Sequence, residues 1–272
     1  MQKLELKQRW VLVTGASSGL GQAMAQQLAR EHGANLILVA RRLERLQAMK
    51  TELEQACSVQ VDVIQADLSV AEDVERVFLQ STGQRQVTAV ILNAGVTFYG
   101  RHRDLAWPKF QSMLATNLTS VVRLADLFLP YLIQSHQPGA GTPGALMFVT
   151  SMAGLLPVPF QSAYAGTKAF VTHHAQGLYQ EYRDDPVSIT VYAPGGIQTD
   201  MTAHSGLADH FGDSVFIQSA ESCARTGLKA MQRRRYLVVP GTLNNVQVFM
   251  SRFLPRKWLG RIAAAAYAGG VK

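Results

Sequence analysis

Trp10-Val11-Leu12-Val13-Thr14-Gly15-Ala16-Ser17-Ser18-Gly19-Leu20-Gly21 reads as a buried strand that runs into a glycine-rich turn and opens a helix. Five residues of strand type, then glycines, then a helical pattern from Leu20 to His32 form the start of a βαβ unit. In such a turn Gly15 permits the tight bend, Gly19 lets the backbone approach a ligand, and Gly21 lets the helix pack closely. Ser17, Ser18 and Leu20 complete the loop. The helix behind it offers free N–H groups and a positive dipole end, which suits a pyrophosphate.

Outward from this stretch the same rhythm continues. Leu36–Ala40, Val59–Ile64, Val87–Leu92, Ala145–Thr150 and Val187–Ala193 are apolar, β-branched strand candidates. Helical patterns cover Leu43–Ala56, Phe110–Gln134 and Gln161–Tyr182. Near-continuous apolar strands alternating with helices predict a parallel sheet covered on both faces, an α/β doubly wound, Rossmann-type fold. Right-handed crossovers give the strand order 3-2-1-4-5-6-7. No linker or repeat divides residues 1–272, so one domain is expected. Ser135–Gly144 reads as a surface loop. Residues of about 200–240 form a substrate-loop region, of which Thr202–Phe216 fit neither period, and about 241–272 form a helical tail.

The chain has 272 residues, 47% hydrophobic, enough to bury a full core. Its two cysteines, Cys57 and Cys223, are far apart and read as reduced thiols of a cytoplasmic protein. The short polar start, Met1 to Lys7, lacks the build of a secretory signal, and no apolar run is long enough to span a bilayer. Seven histidines occur without metal-ligand spacing, so no metal is expected. The net charge of +7 admits anionic partners, but no aromatic-basic reading motif points to nucleic acid.

The end of the second strand reads Val39-Ala40-Arg41-Arg42, with no carboxylate before Glu44. A dinucleotide site selective for NAD(H) places an acid there; a guanidinium suits the extra phosphate of NADP(H) instead. Arg41 is assigned that contact, and Arg42 is read as a solvated helix-start residue. Tyr164 and Lys168 are four apart on a helix, one turn from each other. An ammonium beside a phenol favours the phenolate, predicting a tyrosine pKa below its usual ~10.

Taken in order, Thr14-Gly15 to Gly21, Asp67-Leu68, Asn93-Ala94-Gly95, Asn117, Ser151, Tyr164 to Lys168 and Pro194-Gly195-x-Ile197-x-Thr199 resemble the short-chain dehydrogenase/reductase family over roughly residues 8 to 200. The resemblance implies a hydride-transferring oxidoreductase using NADP(H) rather than NAD(H), commonly a homodimer or homotetramer. It implies that Asp67 bonds the adenine amino group, although a helix N-cap before Val70 is its other reading. Asn93, Ala94 and Gly95 would line the adenosine side, and Asn117 would hold a water that relays protons to Lys168. Pro194, Gly195, Ile197 and Thr199 would grip the nicotinamide carboxamide. Ser151 would bond a substrate carbonyl oxygen, Tyr164 would protonate it, and Lys168 would stabilise the phenolate and hold the ribose hydroxyls.

Phe98, Tyr99, Leu155, Leu156, Val158, Phe160 and Met201 lie near the expected pocket mouth and point to an apolar carbonyl substrate, or to plain core packing. A 3-oxoacyl thioester reductase and a non-catalytic NADP(H)-binding regulatory protein are the competing functions. In the tail, Val246, Phe249, Met250, Phe253 and Leu254 recur at helical spacing, Pro255 interrupts, and Trp258, Leu259 and Ile262 resume the stripe. Arg252, Arg256, Lys257 and Arg261 lie among them. Such a stripe can lie on an anionic membrane surface, cover the substrate pocket or pack against a second subunit.

Overall fold

The apolar runs pair side by side, as their burial demands. In the computed structural model, which describes residues 3–136, 143–198 and 217–268, seven parallel strands form one sheet. These are β1 (Trp10–Thr14), β2 (Asn35–Ala40), β3 (Val61–Gln65), β4 (Val87–Leu92), β5 (Gly144–Val149), β6 (Val187–Tyr192) and β9 (Leu237–Val238). Their order is β3-β2-β1-β4-β5-β6-β9. This is the expected doubly wound topology: the seventh strand of the sheet is ninth along the chain because a short parallel pair, β7 (Gly196–Ile197) and β8 (Ile217–Gln218), precedes it.

Every residue of β4, β5 and β6 is buried, which explains their mainly apolar character, interrupted only by Thr88, Ser188 and Thr190. On one face of the sheet lie α1 (Gly19–His32), α2 (Leu43–Ala56) and α7 (Ala220–Gln232), packed through Met24, Leu28, Leu46, Leu53, Leu228 and Met231. The other face carries α3 (Ala71–Thr82), α5 (Ser120–Ser135) and α6 (Ser162–Glu181), packed through Val77, Leu124, Phe128, Leu132, Val171 and Ala175. Each such side chain, fully buried, contributes about 1.5–3 kcal/mol. The amino-terminal segment is more than polar: Leu4 and Leu6 are buried in the α1 face, and the Leu4 N–H donates to the Gln232 carbonyl at 2.9 Å.

One helix departs from expectation. The Phe110–Gln134 pattern is α4 (Trp107–Leu114) and α5 joined by a π turn at Ala115–Thr119. A π turn inserts an extra residue into the helical ladder, and such turns recur at functional sites. Beyond the sheet, α8 (Thr242–Ser251) and α9 (Arg256–Ala268) follow, separated at Pro255 as the sequence suggests. No helix among the described residues is long and apolar enough to cross a membrane.

Candidate active site

The carboxyl ends of β1, β4, β5 and β6 converge, and the candidate residues gather there. Thr14 ends β1 in register with Val39 of β2, and the chain then turns at Gly15 with φ +67°. A Cβ on Gly21 would lie 2.4 Å from the Gly15 carbonyl oxygen, so no other residue fits where α1 meets the turn. Asn93, just past β4, locks this loop: its Nδ2 donates to the Thr14 carbonyl at 2.9 Å, and its backbone N–H donates to Thr14 Oγ1 at 2.9 Å. Ala94 N–H donates to the same hydroxyl at 3.0 Å. The result is a glycine-turned cradle against the amino end of α1, which fits a dinucleotide pyrophosphate. Leu20 faces the core and holds the helix down.

The guanidinium that reaches this loop belongs to Arg42. Its Nε and Nη2 donate to Ser17 Oγ at 3.1 and 3.0 Å, and Nη2 donates to Ser18 Oγ at 2.6 Å. Arg41 is exposed, and its carbonyl accepts from Gln65 Nε2 at 3.1 Å. Nothing in the sequence separates the two adjacent arginines in this respect. Asp67 turns its carboxylate onto its own loop, accepting from Ser69 N–H at 3.0 Å and Ser69 Oγ at 2.7 Å. Leu68 is buried beside Val74 and Val77.

The second cluster forms where β5 hands over to α6. Ser151 accepts from Ala153 N–H at 3.1 Å and donates weakly toward the Pro194 carbonyl at 3.4 Å. Its hydroxyl stands close enough to that of Tyr164, in the first turn of α6, to pull the Tyr164 pKa down. Lys168, one turn on, is buried; its Nζ lies 5.9 Å from the Tyr164 ring centroid and donates to the Val149 carbonyl at 3.0 Å. Asn117 sits inside the π turn, fully buried. Its Oδ1 accepts from Val96 N–H and its Nδ2 donates to the Val96 carbonyl, both at 2.8 Å, with Thr167 Oγ1 at 3.2 Å. A Cβ on Gly95 would stand 3.3 Å from Asn117 Oδ1 and 3.4 Å from Lys168 Nζ, so the Asn93-Ala94-Gly95 turn abuts both clusters.

The electrostatics correct one expectation. Burial raises the Tyr164 phenol above its usual value; the Ser151 hydrogen bond pulls it down less, and Tyr267 pushes it further up. The spacing of Tyr164 and Lys168 predicted the opposite. The ammonium lies over the ring and bonds Val149, so it does not meet the phenol oxygen. Lys168 itself is lowered from 10.5 to about 8, because its charge is taken out of water.

Pro194 and Gly195 follow β6, with Pro194 accepting from Met152 N–H at 2.8 Å, and Ile197 is buried in β7. Asn244 of α8 presses on Gly195, its Nδ2 2.8 Å from where a Cβ would be. Thr199, Met201, the Thr202–Phe216 segment, His204 and His210 lie outside the described residues. The expected mouth residues Phe98, Tyr99, Leu155, Leu156, Val158 and Phe160 are all half-buried. Phe160 holds a positive φ of 64°, unusual for a bulky residue, and its carbonyl accepts from Gly100 N–H at 2.9 Å.

One contributor was not legible as a site residue. Tyr267, near the end of α9, returns to this mouth: Tyr99 Oη donates to its carbonyl at 2.6 Å, with ring centroids 6.4 Å apart. Burial and Tyr99 raise its phenol as well.

Known proteins share this arrangement. The chain is 32% identical to 17-beta-hydroxysteroid dehydrogenase type 3 of Mus musculus over 198 residues, 72% of this chain and 62% of that protein; it thus spans under two thirds of that relative's length. It is 26% identical to very-long-chain 3-oxoacyl-CoA reductase of Homo sapiens over 216 residues, 78% of this chain and 67% of that protein. A solved short-chain dehydrogenase from Sphingobium yanoikuyae in complex with NADPH superimposes with a TM-score of 0.78 at 26% identity, covering 91% of this chain and 96% of that one. With a glycine cradle, Ser151, Tyr164 and a buried Lys168 at the carboxyl end of one sheet, and the short chain dehydrogenase model matching residues 9–209, the chain belongs to the short-chain dehydrogenase family.

Proposed function

We propose that this protein is an NADP(H)-dependent oxidoreductase that interconverts a ketone and a secondary alcohol on a hydrophobic substrate. The observation that carries this reading is Ser151 close enough to Tyr164 to perturb its phenol, with Lys168 one turn behind, at the same carboxyl end of the sheet as the glycine cradle. Bound nicotinamide would supply or take up the hydride. The chain's own residues handle the oxygen. Ser151 donates a hydrogen bond to the carbonyl oxygen, and Tyr164, kept protonated by burial, gives that oxygen its proton as negative charge develops there. The Lys168 ammonium, still charged at neutral pH with a pKa of about 8, stabilises the phenolate that remains and holds the nicotinamide ribose hydroxyls. Asn117, pinned between Val96 and Thr167, fixes the π turn against Gly95 and keeps a proton path open to Lys168.

Arg42 supports NADP(H): its guanidinium closes the end of the loop, beside a strand end that carries no carboxylate. The half-buried apolar mouth supports a hydrophobic substrate, in keeping with the names of the mouse and human relatives. A 3-oxoacyl thioester is the second reading, favoured by the basic residues of the tail, which suit a phosphate-bearing acyl carrier.

The test is NADPH oxidation across hydrophobic ketones and 3-oxoacyl thioesters, in the wild type and in Tyr164→Phe. Turnover should appear with one substrate class and fall by roughly 10²–10⁴ in the variant, with NADPH binding retained. Tight NADPH binding with no turnover on any carbonyl would replace this reading with that of a regulatory NADP(H)-binding protein.

A further inference from the structure

The basic character of this protein is not spread over its surface. After Glu221 there is no further acidic residue, while ten lysines and arginines follow, more than the net charge of +7 for the whole sequence. The rest of the chain is therefore slightly acidic, and the basic excess is confined to residues 222–272.

Those helices also hold the most exposed apolar side chains. Leu243, Val246, Phe249 and Met250 of α8 share one face, and each is about half exposed. Phe253 at the turn is 69% exposed, and Leu254, Trp258 and Ile262 continue the patch at 43–60%. No residue of α9 is fully buried. The opposite faces are the ones in use: Asn244 and Val248 pack against Gly195, Met152 and Leu155, and Tyr267 meets Tyr99. Around the outward apolar face stand Arg252, Arg256, Lys257 and Arg261, all exposed, with the Arg261 guanidinium 5.8 Å from the Trp258 ring centroid. A contiguous patch of this size is costly in water and marks a contact surface.

We infer that the outer face of α8 and α9 docks on an anionic lipid surface. Phenylalanine, tryptophan and leucine at the centre, with long cationic side chains that can reach outward, is the composition of a helix lying in a bilayer interface. A second copy is the poorer occupant. A two-fold contact would set this face against itself, bringing Arg252, Arg256, Lys257 and Arg261 close to their own copies with no carboxylate in the tail to pair them. A negatively charged bilayer meets both the charge and the apolar patch.

The test uses the full chain with vesicles of pure phosphatidylcholine and of equimolar phosphatidylcholine and phosphatidylglycerol, by co-sedimentation at low and physiological salt. The wild type should pellet with the anionic vesicles, more so at low salt. Each cation near such a surface is worth roughly fivefold in partition, so Arg256→Ser/Lys257→Ser/Arg261→Ser should weaken binding on the order of a hundredfold. Phe253→Glu/Trp258→Glu should abolish it. All these positions are exposed, so an unchanged thermal midpoint verifies that the variants fold. Failure of the wild type to bind anionic vesicles, or equal binding by the triple serine variant, would overturn the inference. So would a concentration-dependent dimer in sedimentation velocity that Phe253→Glu dissolves without any vesicle binding, which would assign the face to a second copy. None of these measurements depends on cofactor or turnover, so this inference can fail while the proposed activity stands.

Discussion

Lys168 should make the folded protein less stable than it would be without the charge. Its ammonium is buried, and its pKa falls from 10.5 to about 8. A base with a lowered folded-state pKa costs stability at any pH where the unfolded chain would hold the proton more tightly. The cost is therefore full below pH 8 and fades as pH rises from about 8 to 10.5. At pH 7 a fall of that size corresponds to roughly 3 kcal/mol. Replacing Lys168 with Met removes this cost and also the Nζ donation to the Val149 carbonyl, a loss of about 1–2 kcal/mol. The net expectation is a gain of about 1–2 kcal/mol, or about 2–8 °C in melting temperature for a domain of this size. The assay is thermal unfolding of wild type and Lys168→Met, without cofactor, by circular dichroism at pH 7 and pH 10. At pH 10 the wild type has recovered most of the penalty, so the Met variant should have lost its advantage. A Met variant that melts below wild type at pH 7, or a difference that stays the same at both pH values, would refute the reasoning. The same substitution should abolish turnover, so stability and activity should move in opposite directions.

Other consequences can be checked separately. The role proposed for that proton predicts that kcat/KM for ketone reduction declines above pH 8, as Lys168 loses the charge that would support the Tyr164 phenolate; a flat profile from pH 7 to 10 would contradict it. Arg42→Asp should lower the NADPH-to-NADH ratio of kcat/KM by roughly 10- to 100-fold, the worth of a charge-assisted phosphate contact. Arg41→Asp should shift it much less, and the reverse ranking would return the 2′-phosphate contact to Arg41. Gly21→Ala puts a Cβ 2.4 Å from the Gly15 carbonyl, so chemical unfolding should show a loss of about 1–3 kcal/mol, with NADPH affinity weakened as well.

The sheet was legible because burial on both faces leaves little choice of residue: β4, β5 and β6 read as mainly apolar runs, with only Thr88, Ser188 and Thr190 among them as small polar residues. The cradle was legible because its glycines answer to backbone geometry. Side-chain direction was not. Where β2 ends at Ala40, one step of backbone decides which of two adjacent arginines faces Ser17, and no pattern encodes that step. The spacing of Tyr164 and Lys168 placed them on one helix face, yet Nζ went to Val149, and part of the upward push on the phenol is electrostatic and comes from Tyr267, about a hundred residues further along the chain. The π turn was hidden because apolar periodicity continues through Ala115–Thr119 with only a small phase error.

The tail shows why such errors can be informative. Its stripe of Val246, Phe249, Met250 and Phe253 was correctly read as amphipathic, and the ordinary inference is that the apolar side packs inward. Here the packing side is formed by Asn244, Val248 and Tyr267, while the stripe faces out. With the weaker face packed against Gly195, Met152, Leu155 and Tyr99, the stronger apolar face is left over. Local pattern and tertiary placement disagree there, and such disagreements concentrate at functional sites. Because Tyr267 lies on the same short helix as Trp258 and Ile262, whatever covers the outer face also bears on the mouth above Tyr164. A lipid surface at that face would bring apolar molecules to the helix whose Tyr267 meets Tyr99 at the mouth.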